Sequence, residues 1–161
     1  GFYTLIFYLL RESENKLSNF FDKRIKIAFV LFFLTGATGS ITALADVLFP
    51  SASFVEGFIE DFDSTSEVLT RLRILHPFVS TILSIFLFSE SNRFKKEFAI
   101  DSSIIKVLVI VGVILGVLNV VSNIILPLSI LHLLLADLLW ITYVYKAVEK
   151  ATLLKIPQNI D

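Results

Sequence analysis

Ile104-Ile-Lys-Val-Leu-Val-Ile-Val-Gly-Val-Ile-Leu-Gly-Val-Leu-Asn-Val-Val-Ser-Asn-Ile-Ile-Leu126 sets the class of structure this chain can form. A hydrocarbon core about 30 Å thick takes about 20 helical residues to cross, and this block is that long with one charge near its start. Its apolar residues do not alternate with polar ones, which argues against a strand of a membrane barrel. A backbone in lipid must satisfy its own polar groups, and a helix does so within the segment. Three further blocks of the same kind occupy residues 25–50, 69–88 and 128–148. The expected fold is all-α: a polytopic membrane bundle of four helices.

The rest of the composition agrees. Of 161 residues, 55% are hydrophobic and only 18% charged, far from the balance of a soluble enzyme or of a disordered chain. A net charge of -1 removes the basic surplus that nucleic-acid binding needs. With no cysteine there is no disulfide, no thiolate metal site and no Cys nucleophile. Methionine is also missing, position 1 included, so the chain is expected to be processed or a piece of something longer. Its apolar opening, Gly1–Leu10, is too short to span and lacks the basic leader of a signal peptide. It reads as the tail of an earlier transmembrane helix, with an interfacial helix as the other reading.

The connections set the orientation. Twelve of the fourteen Lys and Arg residues fall in segments 11–26, 91–106 and the tail. The connection 51–68 carries Glu56, Glu60, Asp61, Asp63 and Glu67 and no Lys or Arg. The positive-inside rule puts both chain ends in the cytoplasm and that acidic connection outside. Phe54, Val55, Phe58, Ile59 and Phe62 within it approach helical spacing, so it is either a short amphipathic helix or an ordinary connector.

His76 and His132 are the only histidines, and each lies inside a span. Imidazole in hydrocarbon is costly and marks a site by default. Both spans run from outside to inside. His76 is about 10 Å and His132 about 6 Å from the start, at ~1.5 Å per residue. Two imidazoles at similar depth suit the axial positions of a haem iron held in a four-helix bundle. Zinc would need further ligands, which only Asp46 and Asp137 could supply. A third reading is two unrelated histidines hydrogen-bonded across helices. Arg73, three residues before His76, shares its helix face and suits a haem propionate. Arg71 could reach a second propionate or lie among headgroups. On this reading an Arg73 substitution should weaken haem retention more than one at Arg71.

The remaining polar and small residues have simpler roles. Thr35, Gly36, Gly39, Ser40 and Ala43 give the first span a close-packing surface. Gly112 and Gly116 form a GxxxG on the third, a weak signal alone, continued by Asn119 and Asn123. Asp46 is expected to face water. Asp137, deeper, needs a partner or a proton. Trp140 and Tyr143 are expected in the inner interfacial belt.

Three stretches taken together resemble the haem A synthase family, the CtaA-type membrane proteins of cytochrome oxidase assembly. They are Thr35-Gly-Ala-Thr-Gly-Ser-Ile-Thr-Ala-Leu-Ala-Asp-Val-Leu-Phe-Pro50, Arg71-Leu-Arg-Ile-Leu-His-Pro77 and Leu131-His-Leu-Leu-Leu-Ala-Asp-Leu-Leu-Trp140. The resemblance covers about residues 24 to 149. It implies one half of a pseudo-symmetric eight-helix protein, the C-terminal four-helix half that holds haem b, with His76 and His132 as axial ligands of its iron. Residues 1–23 would then end a preceding helix and form a cytoplasmic loop, 24–149 would be the haem-binding bundle, and 150–161 a cytoplasmic tail.

The activity so implied is oxidation of the haem O methyl group to the formyl of haem A for cytochrome c oxidase. The implied partners are the missing N-terminal half or a second copy, haem O, the lipid bilayer, haem O synthase and a quinol donor, with no nucleic acid. The location would be a bacterial or archaeal plasma membrane. The sequence departs from the family in two ways: Pro77 follows His76 where many members have Arg, and the cysteine pair of some members is absent. The acidic residue tied to catalysis lies in the other half, so no residue here inherits it. An electron-transferring four-helix cytochrome b and a non-catalytic assembly protein remain as alternative readings.

Overall fold

The computed structural model describes residues 23–94 and 101–153. Six helices carry them: α1 (Lys23–Leu48), α2 (Phe54–Phe62), α3 (Val68–Leu72), α4 (Leu75–Phe94), α5 (Asp101–Val121) and α6 (Leu126–Leu153). No strand occurs among the described residues. Four stretches are long and apolar enough to cross a membrane: Lys23–Leu48, Val68–Arg93, Ser103–Val121 and Leu126–Ala147. The expected four-helix membrane bundle is therefore what the chain forms. The Gly1–Leu10 stub lies outside the described residues, as does most of the 150–161 tail.

The second span is not one helix. It breaks at Arg73 and Ile74, between α3 and α4, and Pro77 explains the break. A continuous helix would bond the Arg73 carbonyl to the N–H of residue 77, which proline lacks. That carbonyl accepts instead from His76 N at 3.2 Å and from Thr42 Oγ1 of α1 at 3.4 Å. In the first turn of α4 the missing N–H costs little.

The acidic connection contains a true helix. Ser53 caps α2 by accepting from Glu56 N at 3.2 Å, and Glu56 reaches back to Ala52 N at 3.1 Å, close to a capping box. Phe54, Val55, Phe58, Ile59 and Phe62 are all exposed. At the turn from α5 to α6, Asn123 and Ile124 both have positive φ, 56° and 57°. Ile124 N bonds Asn119 O and Asn123 N bonds Val120 O, the paired bonds of a Schellman motif. A β-branched residue in this region is strained, and Pro127 stops the chain from continuing straight.

Packing is uneven along the bundle. The buried cluster Ala28, Leu83, Leu87, Ile105, Val109 and Tyr143 lies toward the end that carries Arg24 and Arg93, the basic end. There Glu90, 2% exposed, pairs with Arg24 and with Arg93 at 3.7 Å. Trp140 stacks edge-on against Phe29 and Phe32, both at 4.8 Å. Trp140 and Tyr143 thus belong to the packed interior, with Tyr143 at 0% exposure, and not to an interfacial belt. Toward the opposite, acidic end the interior is lined by small residues and the two histidines.

Candidate functional site

Two helical hairpins, α1 with α4 and α5 with α6, meet around the histidines in matching ways. In the first, Thr42 faces Arg73 and Gly39 faces His76, so the helices keep one antiparallel register. In the second, Ser129 Oγ donates to Asn119 Oδ1 at 3.0 Å, Gly116 faces His132 and Gly112 faces Leu135. Each hairpin presents one glycine from its first helix and one histidine from its second. The two imidazoles face each other with centroids 6.4 Å apart and planes at 89°.

The glycines are there for space. A Cβ at Gly39 would sit 3.1 Å from His76 Cε1, and one at Gly116 the same distance from His132 Cε1. Gly36, one turn away from Gly39, has nothing within 4 Å. Gly39→Ala and Gly116→Ala should therefore press on a histidine ring, which must give by a few tenths of an ångström, and should fare worse than the same change at Gly36. Gly36→Ala should be neutral or stabilising by up to about 1 kcal/mol. Thermal midpoints of the three variants check this; equal effects at positions 36 and 39 would contradict it.

The hydrogen-bonding pattern leaves ligand capacity unused. Thr38 Oγ1 donates to Leu34 O at 2.8 Å and stands 3.5 Å from His76 Nδ1. One ring nitrogen of His76 thus has a polar neighbour behind it, of the kind metal-bound histidines have. His132 Nδ1 is buried with no hydrogen-bond partner, a state that ordinarily needs a reason. The residues fit an iron held between two imidazoles. A nitrogen–metal bond is about 2 Å, and two of these plus the ring radii match the observed separation. Zinc fits less well. No group of three or more His, Asp or Glu among the described residues could hold a metal ion.

The two arginines differ. Arg73 Nε donates to Asp61 at 2.8 Å, and its Nη atoms reach Asp46 at 3.1 Å and Glu60 at 3.3 Å. They also reach Ser51 Oγ and the Gly57 carbonyl. One guanidinium thus ties α1, α2 and the break in the second span together. Asp46, only 13% exposed, does not face water. Ser51 donates to Glu60 at 2.6 Å, and a side chain at Gly57 would press on Ser51. Arg71, by contrast, has a buried Nε with no partner. The sequence alone does not reveal the Arg73 cluster, because Glu60 and Asp61 read as a solvated loop and Asp46 as a water-facing residue at the outer end of the first span. Its one clue was a pair of arginines on the otherwise acidic side.

The carboxyls of this connection are tuned apart. Burial pushes Asp61 above its ordinary value of 3.8, against the pull of Arg73. Asp63 is held below 3.8 by hydrogen bonds from the Thr65 amide and hydroxyl, both 2.8 Å. By linkage, Asp61's contribution to stability is present below pH 3.8 and lost as pH rises through its raised value. Asp63's is present above 3.8 and lost as pH falls through its lowered value. A residue-resolved carboxyl titration should find Asp63 losing its proton at lower pH than Asp61; the reverse order would contradict this environment.

Comparison with known proteins gives two findings. A family model described as COX15-CtaA, cytochrome oxidase assembly protein, matches residues 3–144. Two curated proteins, from two strains of Thermus thermophilus, are each called protoheme IX farnesyltransferase. Each is 38% identical over 56 residues, which is 35% of this chain and 9% of the relative. The chain therefore spans a small part of those relatives. No solved structure matches it.

Proposed function

The chain belongs to the COX15-CtaA family of cytochrome oxidase assembly proteins, and from that membership we propose that its bundle is the haem b-binding unit of a haem A synthase. The observation that carries the proposal is the facing pair His76 and His132, 6.4 Å apart, each set against a glycine. The activity proposed for the whole protein is the four-electron oxidation of the haem O methyl group to the formyl of haem A. External dioxygen is the oxidant and oxygen source, and the quinol supplies the electrons that reduce the remaining oxygen to water. The relatives from Thermus thermophilus act, by their name, on protohaem IX, which supports a setting in haem modification. The proposed partners are haem O, haem O synthase, a quinol donor, and a second four-helix unit or a second copy.

When bound, the haem supplies one-electron transfer. The residues of this chain do the rest. His76 and His132 would offer one nitrogen each to the iron, and Thr38 stands beside His76 Nδ1 at 3.5 Å, where it helps orient the ring. Gly39 and Gly116 let the rings stand close to the helix backbones. The buried floor of Leu83, Leu87, Ile105 and Val109 keeps water from the basic end. Arg71 has donor capacity left for a propionate, whereas Arg73 would have to release a carboxylate to take that part. The proposed orientation puts the basic end in the cytoplasm of a bacterial or archaeal cell.

The test uses the complete protein in membranes supplied with haem O, dioxygen and a quinol. Conversion to haem A, together with a reduced b-type spectrum, is expected. A b-type spectrum without conversion would instead make it an electron-carrying cytochrome b. Absence of both would remove the haem reading.

A further inference from the structure

The strongest unexplained feature is a carboxylate in the middle of a span. Asp137 is the twelfth of the 22 residues in the span Leu126–Ala147, about 16 Å from the start of α6 at ~1.5 Å per residue. That is half the thickness of a hydrocarbon core of about 30 Å. Asp137 is exposed and makes no hydrogen bond or ion pair with any described residue. Its side chain is too short to reach either surface from this depth.

The two faces of α6 make the contrast plain. His132, Leu135, Leu139 and Tyr143 repeat at helical spacing and point into the bundle. Ile130, Leu134, Asp137 and Ile141 repeat on the opposite side, with Ile130, Leu134 and Ile141 51%, 59% and 52% exposed. Carboxylates at mid-membrane are rare and are paired or shielded from lipid. A face with one at its centre is therefore not a lipid face.

We infer that the Ile130–Leu134–Asp137–Ile141 face of α6 is the seat of another membrane-spanning helix, one that presents a hydrogen-bond donor or cation to Asp137 at mid-bilayer depth. Charge complementarity selects this occupant over a second copy of the chain. The described Lys and Arg residues all lie toward the ends of the spans, and the exposed mid-span hydroxyls of Ser40 and Thr81 donate to carbonyls of their own helices. A parallel copy would therefore bring neither a cation nor an uncommitted hydroxyl of these residues to this depth. A two-fold contact would set Asp137 against Asp137. This seat does not depend on the haem reading, because His132 lies on the other face.

A photo-crosslinking phenylalanine analogue placed at Leu134 or Ile141 of the full-length protein in its native membrane is the test, with Val113 of α5 as the lipid-facing control. Adducts mapped by mass spectrometry are expected at a transmembrane peptide bearing Lys, Arg, Asn, Gln, Ser or Thr at matching depth. Asp137→Leu should lower their yield at least fivefold, and Asp137→Asn should retain most of it. The Val113 position should yield lipid adducts. Lipid adducts alone from 134 and 141 would overturn the inference, as would adducts to any helix of a second copy of this chain or to a helix with no donor. The crosslinks in the Asp137 background decide the matter even where Asp137→Leu fails to accumulate.

Discussion

Protein carrying His132→Ala should purify without the reduced b-type absorbance of the parent, and His76→Ala should do the same. Each histidine stands alone in its hairpin, and no other imidazole exists in the chain to replace it. Loss of one axial ligand removes half the protein's grip on the iron. The double variant should be no worse than either single one, because residues that act as a unit are not additive. Helix content should survive, since the buried cluster lies nearer the other end of the bundle. Absorbance that persists in the double variant would refute axial ligation by this pair.

The second large effect is expected at Arg73. Removing its guanidinium in Arg73→Ala strands Asp46 and Asp61, 13% and 15% exposed, beside Glu60 with no counter-charge. Breaking a buried pair by deleting one partner costs about 3–5 kcal/mol. The lower part of that range applies, because Glu60 is 35% exposed and can turn to water. Arg73→Lys should recover only part, since one ammonium cannot bridge three carboxylates as a planar fork does. The loss should shrink in acid, where the stranded carboxyls take up protons. Thermal unfolding in detergent near pH 7 and near pH 5 measures this. A loss that grows in acid would contradict it.

These residues also show what a membrane sequence reveals. Block length and apolarity were enough for the four spans, because lipid demands them regardless of tertiary detail. That His76 and His132 come to one level followed from counting residues along two helices of the same direction. The azimuth of side chains did not follow. Lipid and protein interior are both apolar, so the periodicity that marks the buried face of a soluble helix fades. Tyr143 therefore read as a belt residue although it is wholly buried. Asp46 read as solvent-facing although it meets a residue 27 positions away. The Gly39 contact with His76 was equally hidden, since Gly36 and Gly39 look alike in sequence and differ only in what stands opposite. Pro77 was visible, but its effect on the Arg73 carbonyl depended on Thr42 from another helix.

The uneven packing of the bundle has a consequence for how the protein matures. Its buried cluster gathers toward one end and the Arg73 ion cluster closes the other, with small residues and a bare imidazole nitrogen in the layer between. The two ends can therefore hold the fold without help from that middle layer. If the proposed haem binds there, a flat cargo would enter between the helices without unpacking the base.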